Sequence, residues 1–148
     1  MAKITIAKGD WIVVCDGATA LLLVNEGTAL APHLVVREAR EEPHATTRAL
    51  GADAPGRVHQ AGEPGRSSVE QTDWHAQAEA AFLRGFADEL ETLLRAEHPR
   101  RVHVVAPPRA LGVLRQAYGP ALRRALGEEI GKDLASAPVA EIQRSLCG

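Results

Sequence analysis

A chain of 148 residues with 17 Lys and Arg against 19 Asp and Glu, and a formal net charge of −2, is sized for one α/β domain spanning 1–148. It lacks the cationic excess that a general nucleic-acid binder sets against phosphate, although a local basic patch is compatible with these numbers. Roughly 70% of the unfolded surface can be buried at this length, so folding requires neither disulfides nor a metal.

The two cysteines, Cys15 and Cys147, read as reduced thiols, and no clustered Cys/His spacing suggests zinc. No metal or cofactor is expected. No apolar stretch approaches the ~20 residues of a membrane-spanning helix, so no membrane insertion is expected. The opening MAKITIAKGDWIVVC lacks the apolar core of a secretory signal, which makes the cytoplasm the expected location.

In chain order, Trp11 to Cys15 is wholly apolar and rich in β-branched residues, which predicts a strand covered on both faces. Asp16-Gly17 favours a hairpin turn, and Ala20 to Val24 returns as a second strand. Pro32 to Ala39 predicts a third strand, completing an antiparallel meander. Residues 40–73 contain no run of three large apolar residues, and the segment 51–73 reads as a long loop, either functional or disordered.

Asp73 or Thr72 is the predicted cap of a long helix. Ala78, Phe82, Phe86, Leu90, Leu93 and Leu94 form its apolar stripe, and Pro99 stops it near His98. Val102 to Ala106 predicts a fourth strand and Pro107-Pro108 opens another helix, which Gly119-Pro120 ends. Pro120 opens a short helix through Leu126. A fifth strand follows from Glu128 or Glu129 toward Lys132. A last helix after Pro138 carries Val139, Ile142 and Leu146 on one face. The expected fold is a mixed five-stranded sheet with an N-terminal meander and covering helices.

Motifs that carry chemistry are sparse. Gly51 to Val58 has the glycine spacing of a phosphate-binding loop, but Arg57 stands where lysine belongs and Val58 where a hydroxyl would hold magnesium. There is no G-x-S-x-G and no H-E-x-x-H. His103, inside a strand, reads as structural. Asp73 and His75 are close enough in sequence to coordinate a metal with help from elsewhere, although a cap and an exposed first-turn residue is the plainer reading. Asp16 ends a strand, where α/β folds place chemistry but also turns. In Gly62 to Ser68, the glycines give a ligand access to backbone amides, with Arg66 as a partner for phosphate or carboxylate.

WIVVCDGATALLL, VHVVAPPRALGVLR and EEIGKDLASAPVAEI together resemble the family of proteins required for attachment to host cells, over essentially the whole chain. That family is similar to the middle domain of archaeal and eukaryotic peptide-chain release factors, which implies a ribonuclease H-like sheet. In release factors a Gly-Gly-Gln loop precedes the long helix. Here Gly65-Arg66-Ser67 stands in that place without the glutamine, and Gln71 lacks the preceding glycines.

The resemblance implies a non-catalytic, ribosome- or RNA-associated domain, with Arg57, Gly65, Arg66, Ser67, Asp73 and His75 as the binding residues. Arg100, Arg101 and Arg109 offer a second basic surface. Two alternatives stand beside it. One is an adhesion protein with a host-cell or protein partner. The other is a small metal-dependent hydrolase using Asp16 and further carboxylates.

Overall fold

The computed structural model describes residues 3–42 and 68–147, with side chains from Trp74 onward in the second segment. Five strands are present: β1 (Trp11–Cys15), β2 (Thr19–Asn25), β3 (Leu34–Glu41), β4 (Val102–Val105) and β5 (Leu126–Ile130). Four helices accompany them: α1 (Ser68–Glu97), α2 (Pro108–Ala117), α3 (Pro120–Ala125) and α4 (Val139–Cys147). The sheet order is β3-β2-β1-β4-β5. β2 runs antiparallel to both its neighbours, while β1, β4 and β5 run parallel. This is a mixed α/β sheet with an antiparallel meander on one side and parallel strands on the other.

β1 is buried along its whole length because both faces are covered. Trp11, Val13 and Cys15 pack with Leu83, Phe86, Leu90 and Leu94 of α1 and with α2 and α3. Ile12 and Val14 face the other way, toward Ile6, Leu134, Ile142 and Leu146, where α4 covers the sheet. Alternation of side chains along a strand thus splits one apolar run between two cores. The α1 stripe is led by Leu83, Ala87 and Leu94, with Phe82 and Leu93 only partly buried, so its contact face is rotated slightly from the expected one.

Several boundaries differ from expectation. α1 begins at Ser68, so Thr72 and Asp73 lie within it and neither is its cap. Residues 68–73, expected in the loop, are its opening turns. β3 sits two residues later than predicted and β5 begins at Leu126 rather than Glu128. α1 ends as Pro99 requires: His98 turns to φ 52°, and its N–H still donates to the Leu94 carbonyl at 2.9 Å.

Candidate functional site

The parallel strands give the sheet two ends of different character. At the amino end, before β1, Asp10 is fully buried. Its Oδ2 accepts from the Ala7 N–H at 2.9 Å and from Arg100 Nη2 at 2.8 Å, and lies 3.4 Å from His103 Nε2. His103 Nδ1 accepts from the Glu128 N–H at 3.0 Å, which leaves the ring hydrogen on Nε2, facing Asp10. The imidazole thereby replaces a backbone acceptor where the β4–β5 register shifts, between Val102 and Val104. A side chain at Gly127 would meet that ring at 2.6 Å, so β5 needs glycine there. These are structural bonds, as expected for His103.

Around this knot the surface is basic. Arg100 and Arg101 precede β4, and Arg123 and Arg124 end α3, just before β5. Arg100 pairs with Asp10, whereas Arg101, Arg123 and Arg124 have no carboxylate partner among the described residues. A recess of about 150 Å³ at this end is lined by residues that include Leu94, His98, Arg100 and Arg124. Arg109, expected to join Arg100 and Arg101, opens α2 at the opposite end of the sheet. The crossover from β4 carries it there, so the three arginines do not form one surface.

At the carboxyl end, Asp16 closes the β1–β2 turn. Its Oδ1 accepts from the N–H groups of Ala18 and Thr19, both at 2.8 Å, while its own N–H donates to the Thr19 carbonyl at 2.9 Å. That is the turn-forming role of aspartate. Cys15 beside it is inert, because burial, reinforced by the Asp16 charge, pushes its thiol up to about 12. Next to the turn is a cavity of about 190 Å³, whose lining includes Gly17, Glu79, Leu83, Pro107, Arg109 and Val113. Among the described residues no group of three His, Cys, Asp or Glu side chains is placed to hold a metal ion. Among the described residues Asp16 is therefore not part of a three-ligand group of the kind the hydrolase alternative requires.

Of the expected binding residues, Arg57, Gly65, Arg66 and Ser67 fall outside the described residues. Asp73 lies in α1, outside the described side chains. His75 is half-buried on α1, its ring edge-on to Trp74 with centroids 5.1 Å apart.

Sequence reasoning missed the buried carboxylates, among them Asp10 and Glu91. Asp10 stands one residue before an apolar strand, with no signal beyond that position. Glu91 was more legible, since it follows Ala87 by four residues on the buried face of α1. It accepts from the N–H groups of Ala121 and Leu122, at 2.8 and 3.1 Å, and so caps α3 from another helix. Burial raises its pKa, but those two donors and Arg95 outweigh burial and hold it below the usual carboxylate range.

The sequence pattern of a family described as "Protein required for attachment to host cells" matches residues 11–146, from the first residue of β1 almost to the end of α4. The chain belongs to this host-attachment family. The match takes in both ends of the sheet, so the arginine-rich surface and the carboxyl-end cavity lie within the host-attachment unit. No curated protein matches the chain. Among solved structures, ethanolamine utilization protein EutJ from Carboxydothermus hydrogenoformans is similar at 12% identity and a TM-score of 0.40, over 87% of this chain and 47% of EutJ. The chain thus spans about half of EutJ's length. Among the described residues, no helix is long and apolar enough to cross a membrane.

Proposed function

We propose that this host-attachment protein is a non-catalytic binding domain that engages structured RNA, with the ribosome as its partner, and that it influences attachment through that interaction. The observation that carries the reading is the group of arginines without carboxylate partners among the described residues, Arg101, Arg123 and Arg124, at the amino end of the sheet in a chain whose net charge is −2. Exposed guanidinium groups that no local carboxylate neutralises are the groups that release counterions on meeting phosphate. The succession of meander, glycine-bearing segment, long helix, strand and helix also resembles the release-factor middle domain. The missing glutamine in Gly65-Arg66-Ser67 favours binding over peptidyl-tRNA hydrolysis.

Co-sedimentation with ribosomes tests it. Wild type pellets with ribosomes at physiological salt and is released as salt rises. Arg101→Ala, Arg123→Ala and Arg124→Ala combined lose most of that binding, and the log–log salt dependence flattens by about one unit per arginine. A wild-type protein that stays in the supernatant sinks the reading, as does a triple variant that pellets like wild type.

Family membership favours a second reading, a direct adhesive contact with a host-cell partner. Fractionation of intact cells separates the two. Protein accessible to protease on the cell surface supports adhesion, and protein confined to the cytoplasm rules out a direct contact.

A further inference from the structure

The chain passes from β1 to β2 and β3 on one side of the sheet, then crosses to β4 and β5 on the other. β1 and β4 are therefore the parallel pair at which strand order reverses. In open α/β sheets ligands collect beyond the carboxyl ends of such a pair, because the connections diverge there and leave a crevice. The cavity of about 190 Å³ lies at this point: Gly17 follows β1, and Pro107 and Arg109 follow β4. It is independent of the basic amino end.

Its lining sets two opposite charges around an apolar wall. Glu79 comes from α1 and Arg109 from α2, with Leu83 and Val113 between the same two helices. Glu79 packs over the hairpin, where a Cβ on Gly17 would meet its side chain at 2.7 Å. Neither Glu79 nor Arg109 has an ion-pair or hydrogen-bond partner among the described residues, and they do not pair with each other. Arg109 also stands in the first turn of α2, a helix with no side-chain cap and no acidic residue in that turn. The positive dipole end of the helix reinforces the guanidinium.

Two unpaired opposite charges on one cavity call for a ligand that carries both charges held apart. The size agrees, because a cavity of about 150 Å³ accommodates benzene and this one is somewhat larger. We propose that the cavity between Gly17, Glu79 and Arg109 binds a small zwitterion of the amino-acid class. Its carboxylate lies on Arg109 and the start of α2, its ammonium on Glu79, and its apolar side chain against Leu83 and Val113.

Isothermal titration of the full chain with alanine, valine and leucine tests this. At least one of the three binds, and its counterparts lacking the ammonium or lacking the carboxylate bind at least about tenfold more weakly. Glu79→Gln abolishes the preference over the acid that lacks an ammonium. Arg109→Gln abolishes the preference over the amine that lacks a carboxylate. Circular dichroism checks that both variants are folded. The triple arginine variant of the ribosome experiment binds the amino acid like wild type, so failure of the RNA reading leaves this result intact. The proposal is overturned if none of the three amino acids binds, if the stripped counterparts bind as well as the zwitterion, if inorganic phosphate displaces it at equal concentration, or if both substitutions leave affinity unchanged.

Discussion

The two ends of this sheet use the same residue types to opposite effect. At the amino end a carboxylate, an imidazole and a guanidinium are brought together and bonded, with Asp10 buried beneath Arg100 and beside His103. At the carboxyl end a carboxylate and a guanidinium line one cavity and stay apart. Burial decides the difference. A carboxylate removed from water draws donors, and the Oδ2 of Asp10 gathers Ala7, Arg100 and His103, while its buried Oδ1 has no hydrogen-bond partner among the described residues. Glu79 and Arg109 keep contact with solvent and need no internal partner. The amino end is thus a structural knot with a basic rim, and the carboxyl end is an open recess.

That contrast is broken most forcefully at Asp10. Asp10→Ala leaves the Ala7 N–H and the His103 Nε2–H without their buried acceptor, and a loss of about 3 kcal/mol in urea unfolding is expected. If the variant unfolds at the wild-type midpoint, the knot is not structural. Next comes Gly127→Ala, whose methyl group would sit 2.6 Å from the His103 ring. Displacing that ring costs it the Glu128 N–H, and about 2 kcal/mol should be lost by the same measurement.

Glu91→Gln has a smaller effect that depends on pH. Ionised Glu91 caps α3, and its pKa in the folded protein is held below the unfolded value near 4.5. A depressed carboxylate contributes stability above the unfolded value and loses it as pH falls through the folded one. The variant should therefore be about 1 kcal/mol less stable than wild type at neutral pH, and the gap should close as pH falls from the unfolded value near 4.5 through the lower folded one. A gap that stays constant however far the pH is lowered, until both proteins unfold, would show that the charge is not what matters. Smallest of all, Glu79→Gln and Arg109→Gln at the carboxyl end should leave unfolding within about 0.5 kcal/mol of wild type. A larger loss would mean that the recess is also part of the scaffold.

The secondary structure was largely legible because it rests on local rules. The apolar run Trp11 to Cys15, the Asp16-Gly17 turn and the prolines at 99, 107, 108 and 120 each act within a few residues of themselves. Asp16 proved to be the turn former that its neighbour Gly17 suggested. The start of α1 was misplaced because Asp73 has the chemistry of a cap, while continuation of the helix back to Ser68 is set by more than that one residue. Arg100, Arg101 and Arg109 looked like one surface for a similar reason. Nine residues or fewer separate them, but a strand lies between them and puts Arg109 at the far end of the sheet.

What the sequence determined by itself was the order of strands and helices, the double coverage of β1 and the resemblance to the host-attachment family. Periodicity, turn chemistry and segment motifs are written along the chain and need no partner to be read. Only the tertiary structure decided that Asp10 meets Arg100 and His103, that Glu91 caps a helix thirty residues on, and that Glu79 and Arg109 share a recess. Those pairings depend on how the crossover connections bring distant residues to one end of the sheet. A charged side chain carries no local mark of which end it will reach or whether water will still reach it there.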